Sequence, residues 1–484
     1  MVVKSRIAAL ITHLQQGLLE RDTPARLALL AALSGEHLLL LGPPGTAKSE
    51  LARRLHTMVE DGRYFERLLT RFSVPEELFG PLSIKALEQD RYLRQTEGYL
   101  PESAIAFIDE IFKANSAILN SLLTILNERQ FDNGSQRVKV PLIAVIAASN
   151  ELPEGAELNA LYDRFLLRFE VEPVQDDSFT QLLTLNHNYQ APATEERLTT
   201  ADLTAIRDGA SDLPLSAALI RLLHSLRHFL SEQEIVVSDR RWRKVVKLLK
   251  VSAFCNGDTE AGLFDAWVLP HCLWQQPQQY GVLSQWLAQH IASDPGFNAE
   301  LMTELVDSWQ QRLEQDADPV VPALDEQGYQ LFLDEQGQTV VEAKGQRQKR
   351  NEIGDLLYRQ PRVANTTFTQ DEIRNLGGNL DLYEPVMEQY QRQSALQPKA
   401  WPAAHIASRL RQLNERIAEL GQYLAWLEQQ LSGLTERLAD HLWLEENLAS
   451  QAQRQMERQQ QQLSQQKIRL QELHQAFAAL PVEG

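Results

Sequence analysis

The sequence predicts an α/β domain, followed by an all-α domain, a small partly β insert and a C-terminal helical coiled coil or stalk. The first observation behind this prediction is a series of short apolar runs, at His37–Leu41, Ile105–Ile108 and Leu142–Ala148, with helical patterns between them. Buried strands separated by helices indicate a parallel sheet covered on both faces. The second observation is a mostly helical pattern from about Ser178 to Ser293, and the third is a leucine heptad near the C-terminus.

The composition restricts the classes of protein that fit this chain. A chain of 484 residues should hold about three domains. Its formal net charge of -18 repels phosphate backbones, so we do not expect broad electrostatic binding to nucleic acid. Cys255 and Cys272 lack the spacing of a metal site or a disulfide framework, and both are expected to be reduced and buried. No segment has the pattern of a secretion signal or a membrane span, which favours a cytoplasmic protein.

The composition changes after the amphipathic helix predicted at Phe297–Gln315, where Asp318-Pro319 interrupts the helical pattern. Tyr329–Leu333 and Thr339–Val341 have the pattern of a β-hairpin, and Pro361–Thr369 of a further strand. The predicted domains are therefore the α/β domain at 1–177, the all-α domain at 178–295, the stalk at 296–317 and 400–481, and the insert at 318–399.

The last segment carries a heptad of apolar residues. They are spaced alternately three and four apart, at Leu410, Leu413, Ile417, Leu420, Leu424, Leu427, Leu431, Leu434 and Leu438. The register slips at Leu442, as in a stutter, and then continues at intervals of seven with Met456, Leu463, Leu470 and Phe477. Three arrangements fit this pattern: an unbroken helix, a hairpin broken near Gly421 or Gly433 that packs on the predicted helix before the insert, and a coiled coil between chains.

A glycine-containing loop follows the first predicted strand and leads into the helical pattern Glu50–Val59. It reads Gly42-Pro43-Pro44-Gly45-Thr46-Ala47-Lys48-Ser49. A strand, such a loop and a helix N-terminus in this order are typical of a P-loop, whose backbone N–H groups bind nucleotide phosphates. Lys48 is expected to neutralise the β- and γ-phosphate oxygens, and Ser49 to bind Mg²⁺. Ala47 stands where a second glycine is usual, and we expect it to adopt a negative φ.

Polar residues follow the other two predicted strands. Asp109 and Glu110 come directly after Ile105–Ile108, where Asp109 would help to hold Mg²⁺ and Glu110 would polarise the attacking water. Asn150 follows the third strand and could orient that water, as a sensor 1 residue; a plain turn-forming asparagine is the alternative. Because the carboxyl ends of parallel strands share one edge, these residues are expected beside the P-loop.

Two groups of arginines are candidates for contacts with the nucleotide. Arg164 and Arg168 are four residues apart, so on a helix they would share a face. Such an arginine could act as a finger on a neighbour's γ-phosphate, while a solvated surface pair is the alternative. Arg240 opens a helix capped by Ser238 or Asp239, and it could reach across to nucleotide held by the first domain.

Taken together, these motifs resemble the MoxR group of AAA+ ATPases. The resemblance covers about residues 10–175 and lies in Gly42–Ser49, Arg71–Pro81, Gly98–Pro101, Asp109-Glu110, Asn127–Gln130 and Asp163–Phe165. Through Ser238–Lys244, the helical stalk and the inserted domain, the chain is most similar to the RavA type (regulatory ATPase variant A).

The resemblance implies a hexameric ring that binds ATP and Mg²⁺ at its subunit interfaces, with Arg164 as finger, Arg168 near the nucleotide and Arg240 as sensor 2. MoxR-group proteins usually work with a partner that carries a von Willebrand A domain, and they act as chaperone-like remodellers. RavA-like members also engage an inducible lysine decarboxylase through their inserted domain, but the insert at 318–399 matches theirs poorly.

The predicted function is therefore an ATP-driven remodeller of partner proteins, with Leu82–Gln95 facing a pore by family analogy. Two alternatives remain open at this point. One is a nucleic-acid or transcription motor on the same ATPase core, which the charge of -18 disfavours. The other is a nucleotide-gated scaffold that hydrolyses ATP slowly.

Overall fold

The computed structural model describes residues 2–185, 189–291, 299–317, 319–363, 366–444 and 446–483. The chain forms two compact units, the first made of residues 1–297 and 425–461 and the second of residues 298–424 and 462–484. Phe297 and Asp318, which the sequence placed at the ends of a helix and its stop, lie outside the described residues. No helix among the described residues is both long and apolar enough to cross a membrane.

The first unit is built on a five-stranded parallel sheet, and an antiparallel hairpin stands apart from it. The strands are β1 (Leu38–Leu41), β2 (Tyr64–Leu68), β3 (Ile105–Asp109), β4 (Gln130–Asn133), β5 (Gln136–Lys139), β6 (Ala144–Ser149) and β7 (Leu167–Glu170). Their order in the sheet is β2-β3-β6-β1-β7, and β4 and β5 form the hairpin. The buried central strands β1, β3 and β6 confirm the predicted parallel sheet.

Helices cover this sheet and continue into an all-α lid. The helices of the α/β part are α1 (Val2–Gln15), α2 (Asp22–Ser34), α3 (Lys48–Thr57), α4 (Pro75–Phe79), α5 (Ile84–Leu87), α6 (Ser116–Glu128), α7 (Ala156–Tyr162) and α8 (Asp176–Thr184). Those of the lid are α9 (Thr200–Ser211), α10 (Ala217–Glu232), α11 (Asp239–Asn256), α12 (Leu269–Leu273) and α13 (Gln278–Ile291). Ser238 caps α11, since its side chain accepts the Arg241 N–H, as the sequence predicts.

A buried histidine lies among aromatic rings in the lid. His271, on α12, is 2% exposed. Its ring lies 5.7 Å from that of Phe169 and 4.9 Å from that of Tyr280, between centroids. Burial lowers the pKa of His271 from 6.5 to about 4, so the imidazole is neutral in the folded protein. Below pH 6.5 His271 binds a proton in the unfolded chain but stays neutral in the folded chain. The free energy of unfolding therefore falls as the pH drops toward the folded pKa.

Replacing His271 by phenylalanine is expected to remove this loss, because the new ring fits the aromatic site and cannot be protonated. Between about pH 7.5 and pH 5, the free energy of unfolding should fall by about 2 kcal/mol more in the native chain than in the variant. Urea unfolding at both pH values measures this difference. Burial also lowers the pKa values of His37 and His441. Both residues are present in the two proteins, so their contributions to the pH dependence are the same and cancel in the difference. An equal fall in both proteins would contradict the neutral state of His271.

The second unit contains the whole of α14 (Ala299–Ala317) and parts of α16 (Ala403–Asp440) and α17 (Glu446–Ala478). The ring of Trp309 on α14 meets that of Phe477 on α17 at 5.9 Å between centroids. Asp316, at the end of α14, accepts hydrogen bonds from His405 Nε2 at 3.0 Å and Arg409 Nε at 3.2 Å on α16. The three helices thus pack within one chain, which is the three-helix alternative of the sequence analysis.

α16 ends at Asp440 and α17 begins at Glu446, so the predicted break near Gly421 or Gly433 is wrong. A helix interior tolerates glycine at a cost of about 1 kcal/mol, and α16 runs through both positions. The heptad residues Leu413, Leu420 and Leu427 are fully buried, as the seam predicts. The side chain of Leu431 is half-buried, and those of Leu434 and Leu438 lie outside the described residues.

The insert is a chain of small antiparallel sheets with one short helix. Its elements are β8 (Val320–Pro322), β9 (Phe332–Leu333), β10 (Thr339–Val340), β11 (Lys344–Gln348), β12 (Leu357–Arg359), β13 (Thr367–Thr369), α15 (Gln370–Asn375), β14 (Glu384–Pro385), β15 (Met387–Gln391), β16 (Gln393–Ser394) and β17 (Leu396–Pro398). The pairing of β9 with β10 is the predicted hairpin.

Three turns of this insert share one hydrogen-bond pattern. The Oδ1 atoms of Asp325, Asp334 and Asn351 each accept the backbone N–H groups of the residues two and four positions later. The fourth residue of each turn is a glycine with positive φ, at Gly328, Gly337 and Gly354. The first two turns belong to a repeated Leu-Asp-Glu-Gln-Gly sequence, at residues 324–328 and 333–337. The repeat therefore encodes turn geometry.

Candidate active site

The P-loop, Gly42–Ser49, leaves the carboxyl end of β1 and enters α3. The Gly42 N–H donates to the Ser149 carbonyl at 3.0 Å, which fixes the start of the loop on the end of β6. Gly42 has a φ of 145°, and a Cβ added there would lie 2.1 Å from the Val171 carbonyl oxygen. Only glycine therefore fits at the first position of the loop.

Ala47 is strained, and the expectation of a negative φ at this position is wrong. Its φ of 63° and ψ of 23° lie in the left-handed region. The loop turns at this residue to start α3, and the Ala47 carbonyl already accepts the Leu51 N–H at 3.1 Å. A non-glycine residue in this conformation costs about 1–2 kcal/mol. The loop thus keeps the geometry of a glycine at the position of Ala47.

Lys48 lies between the P-loop and the two predicted acidic residues. Its Nζ donates to the carbonyl oxygens of Gly42 at 2.9 Å and Pro43 at 2.6 Å, inside the curve of the loop. Burial lowers the pKa of Lys48, and the charges of Asp109 and Glu110 act in the opposite direction. Asp109 is the last residue of β3, and Glu110 follows it. The loop lysine and both carboxylates therefore meet at one edge of the sheet, as the sequence predicts.

Glu110 has a free carboxylate oxygen. Its Oε2 is buried and has no hydrogen-bond partner, and its backbone is left-handed, with a φ of 51° and a ψ of 46°. Burial and the charge of Asp109 raise the pKa of Glu110, while the charge of Lys113 lowers it. A buried acceptor without a partner is uncommon in folded proteins. Its position suits a group that holds and polarises a water molecule.

The residues at this edge also fit Mg²⁺. Ser49, the second residue of α3, presents a half-buried hydroxyl, and Asp109 presents a half-buried carboxylate. Mg²⁺ binds proteins through oxygen ligands, often one or two protein groups together with phosphate oxygens of a nucleotide. Such a site would also give a partner to the buried, unpaired oxygen of Glu110 next to Asp109.

Asn150 lies at the same edge. It follows Ser149, the last residue of β6, and its side chain is exposed. Since the Ser149 carbonyl accepts the N–H of Gly42, Asn150 is next to the start of the P-loop. This placement agrees with the role of a sensor 1 residue, which remains a prediction.

Arg164 and Arg168 do not share a helix, and that prediction is wrong. The helix α7 ends at Tyr162, Arg164 lies in the following turn, and Arg168 is the second residue of β7. The segment is a strand because it pairs in parallel with β1. Arg164 is one-fifth exposed, its Nη1 lies 3.3 Å from Asp163 Oδ2, and its buried Nε has no partner.

Arg168 makes the contacts of a structural residue. It is 3% exposed and lies over the ring of Tyr162, with 3.7 Å from Cζ to the ring centroid. Its guanidinium donates to the carbonyl oxygens of Tyr162 and Trp274, the latter after α12 of the lid. Burial lowers the pKa of Arg168 to about 9. These contacts tie β7 to the lid, and the predicted contact of Arg168 with nucleotide remains a prediction.

Arg240 precedes Arg241, which contacts the turn that carries Arg164. The Nη2 of Arg240 donates to Asn127 Oδ1 at 2.6 Å, and the charge of Arg240 adds to burial in lowering the pKa of Arg164. Asn127 lies at the carboxyl end of α6, and the preceding Leu126 carbonyl is 3.2 Å from Nε2 of His37, the residue before β1. Arg240 therefore lies at the amino edge of the sheet.

The two arginines and the P-loop are at opposite edges of the sheet. β1 alone separates these edges by about 13 Å, at roughly 3.3 Å per residue. The expectation that Arg240 reaches nucleotide held by the first domain therefore does not hold within one chain. Lys48, Asp109, Glu110 and Asn150 are brought together, whereas Arg164 and Arg240 form a separate pair.

Two further arginines hold these parts in place and were not predicted. Arg241 is 6% exposed and donates to the carbonyl oxygens of Phe165 at 3.1 Å and Leu166 at 2.9 Å, and to Asp163 at 3.2 Å. It thereby fixes the turn that carries Arg164. The sequence contained a sign that Arg241 is buried. It precedes the buried Val245, Leu248 and Leu249 by four, seven and eight residues, so it lies on the apolar face of α11.

Arg21 supports the P-loop itself. It is 7% exposed, and its Nε donates to the Thr46 carbonyl at 3.2 Å. Its Nη2 donates to the Glu172 carbonyl at 2.7 Å, just after β7. Arg21 precedes α2, so the start of that helix is tied to the loop.

Two family models match this chain. Residues 5–208 match the model of the MoxR domain in MoxR-vWA-beta-propeller ternary systems, and residues 218–287 match that of an AAA lid domain. Uncharacterized protein MJ0079 of Methanocaldococcus jannaschii is 42% identical over 269 residues, which are 55% of this chain and 70% of that protein. Uncharacterized protein MJ0812 of the same organism is 41% identical over 292 residues, or 60% of this chain and 77% of that protein.

A more distant similarity points to the wider superfamily. Chaperone protein ClpB of Dichelobacter nodosus is 30% identical over 105 residues, which are 20% of this chain and 12% of that protein. The chain belongs to the MoxR group of AAA+ ATPases.

Proposed function

We propose that this chain hydrolyses ATP at sites that are completed between neighbouring copies of the chain in a hexameric ring. The observation that carries the proposal is the separation of the two halves of the site. Lys48, Asp109 and Glu110 lie at the carboxyl edge of the sheet, and Arg164 and Arg240 lie together at the amino edge. A ring would bring the arginine pair of one copy to the P-loop of the next.

Each residue of the P-loop edge has a separate task in this proposal. The backbone of Gly42–Ser49 and the start of α3 bind the phosphates, and the Lys48 ammonium neutralises their charge. Glu110 accepts a hydrogen bond from the attacking water through its unpaired Oε2 and draws off its proton. Asn150 orients that water. Mg²⁺, held by Ser49 and Asp109, would supply positive charge that stabilises the leaving phosphate oxygens.

The arginine pair supplies charge from the neighbouring copy. Arg164 acts as the finger, and its side chain is one-fifth exposed, with Asp163 as its ion-pair partner at 3.3 Å. Arg240 acts as sensor 2 from the same neighbour, because it lies beside Arg164. Positive charge on the transferred phosphoryl group stabilises the transition state of hydrolysis.

We further propose that hydrolysis drives the remodelling of partner proteins, in cooperation with a protein that carries a von Willebrand A domain. The family model that matches residues 5–208 is named for systems of this composition. The segment Leu82–Gln95 is the proposed client contact, since it exposes Ile84, Leu87 and Tyr92 at 73, 44 and 55%. The cytoplasm is the proposed location, where ATP is available.

ATP turnover measured against protein concentration tests this proposal. Specific activity is expected to rise with concentration and to reach a plateau as rings form, because a single chain lacks the arginines at its own P-loop. Lys48→Ala is the control for contaminating activity. Constant specific activity down to concentrations at which sedimentation shows a monomer would contradict shared sites. Absence of turnover at all concentrations would favour the nucleotide-gated scaffold.

A further inference from the structure

The turn that joins α16 to α17 is buried. Trp443 is 0% exposed, and Leu442 and Leu444 are 8 and 7% exposed, in the core of the first unit. Turns between helices usually lie on the surface and are polar. A buried apolar turn therefore indicates a matching surface on the ATPase. We call the four residues His441–Leu444 the tip.

Three hydrogen bonds fix the tip on the carboxyl half of α11. The indole Nε1 of Trp443 donates to the Ser252 carbonyl at 3.2 Å. The Leu442 N–H donates to Asn256 Oδ1 at 2.9 Å, and Nδ2 of Asn256 lies 2.8 Å from Nε2 of His441. The tip thus contacts both the backbone and a side chain of the helix, which defines its rotation as well as its position.

The tip also contacts α2, the helix that begins beside the P-loop. Arg26 Nη1 on α2 donates to the Leu444 carbonyl at 2.9 Å. Among the described residues, one hydrogen bond is recorded there and three on α11. The main effect of the tip is therefore expected on α11.

The other end of α11 carries the arginines of the proposed finger group. Arg240 and Arg241 are its second and third residues. Ser252 is about 18 Å further along, at roughly 1.5 Å per residue. Arg241 in turn holds the turn of Arg164 through the carbonyl oxygens of Phe165 and Leu166. A helix is stiff over this length. When the carboxyl half of α11 is fixed, the position of its amino end is therefore fixed as well.

We propose that the tip is a positioning element for Arg240: docked on Ser252 and Asn256, it fixes α11 and thereby sets kcat for ATP hydrolysis. This inference rests on the proposed function, in which Arg240 reaches the γ-phosphate of a neighbouring copy. Since the hydrogen bonds of the tip among the described residues go to α2 and α11 and none goes to Gly42–Ser49, it acts on turnover more than on ATP binding.

Steady-state kinetics of Trp443→Ala, alone and in an Arg240→Ala background, test the inference. Alone, Trp443→Ala is expected to lower kcat by roughly 10- to 100-fold, as misplacement of a charged group by about 1 Å does, with little change in KM. In the Arg240→Ala background it should cause a clearly smaller loss, because only the turn of Arg164, which Arg241 holds, is then left to be displaced. The same fold-loss in both backgrounds, or an unchanged kcat in the single variant, would overturn the inference.

Two variants separate positioning from general damage to the fold. Trp443→Phe keeps a buried ring and loses only the indole N–H, so it should recover most of the lost kcat. Trp309→Ala removes a tryptophan that is 4% exposed in the second unit and should leave kcat unchanged. Should Trp443→Ala not fold, Asn256→Ala removes two bonds to the tip with Trp443 in place, and an unchanged kcat there would overturn the inference.

Hydrogen exchange distinguishes failure of the inference from failure of the proposed function. Trp443→Ala should speed the exchange of backbone amides at the start of α11, residues 239–245, whether or not the chain hydrolyses ATP. An inactive native chain would refute the proposed function alone, and faster exchange there would still show that the tip fixes α11. Unchanged exchange would refute the positioning role of the tip.

Discussion

Replacing Glu110 by glutamine should lower ATP turnover by roughly 10²–10⁴-fold, the range that general-base catalysis contributes. Glutamine has nearly the same size, so the shape of the site is kept, but an amide cannot accept the proton of the attacking water. The structure gives Glu110 a buried Oε2 without a partner and a pKa raised by burial and by the charge of Asp109. Both features favour proton acceptance by this carboxylate over a purely structural role.

Phosphate release and nucleotide binding should be measured on the same preparations. Binding of ADP is expected to persist in Glu110→Gln, because the contacts of Gly42–Ser49 with phosphates do not involve this side chain. Glu151→Gln is the matched control. The charge of the native Glu151 also raises the pKa of Glu110. The Glu151 carboxylate pairs with Lys113, so turnover should fall far less in Glu151→Gln than in Glu110→Gln. Full turnover in Glu110→Gln would assign the water to another base, and loss of binding would indicate damage to the loop.

The parts of this site that the sequence predicts are those that local motifs encode. The P-loop, Asp109, Glu110 and Asn150 each follow a buried apolar strand, and parallel strands bring their carboxyl ends to one edge. The strands that escaped prediction, β2 and β7, are the two edges of the sheet. Charged side chains interrupt both, at Glu66 and Arg67 and at Arg168, so neither has a continuous apolar run. Because β7 was not predicted, Arg164 and Arg168 were placed together on a helix that does not exist.

Other features depend on tertiary contacts that no local pattern shows. The left-handed conformation of Ala47 follows from the closure of the loop between β6 and α3, and an alanine alone gives no sign of it. The position of Arg240 beside Arg164 depends on how the lid packs on the sheet. The slip of the heptad at Leu442 did mark the break between α16 and α17. A slip of this kind also has the pattern of a stutter, and residues 441–444 contain neither glycine nor proline to indicate a turn.

Replacing Arg164 by alanine should lower turnover by about 10³–10⁵-fold, the contribution of an arginine finger to phosphoryl transfer. Arg164 lies at the amino edge of the sheet, out of reach of the P-loop of its own chain. The substitution is therefore expected to lower turnover at the P-loop of the neighbouring copy. Arg164 pairs only with Asp163, at 3.3 Å, among the ion pairs of the described residues. Its removal is therefore expected to leave the fold intact, which the melting temperature checks.

Mixing two inactive variants tests whether the site is shared. A Glu110→Gln chain retains Arg164, and an Arg164→Ala chain retains Glu110, so a mixed ring contains interfaces at which both residues are present. Turnover should therefore reappear when the two variants are combined. A mixture of Glu110→Gln with Lys48→Ala is the matched control, because both defects lie at the P-loop edge and every interface keeps one of them. Recovery in neither mixture would mean that Glu110 and Arg164 must belong to the same chain, which would contradict shared sites, whereas recovery in the first alone can arise only if neighbouring chains complete one another's sites.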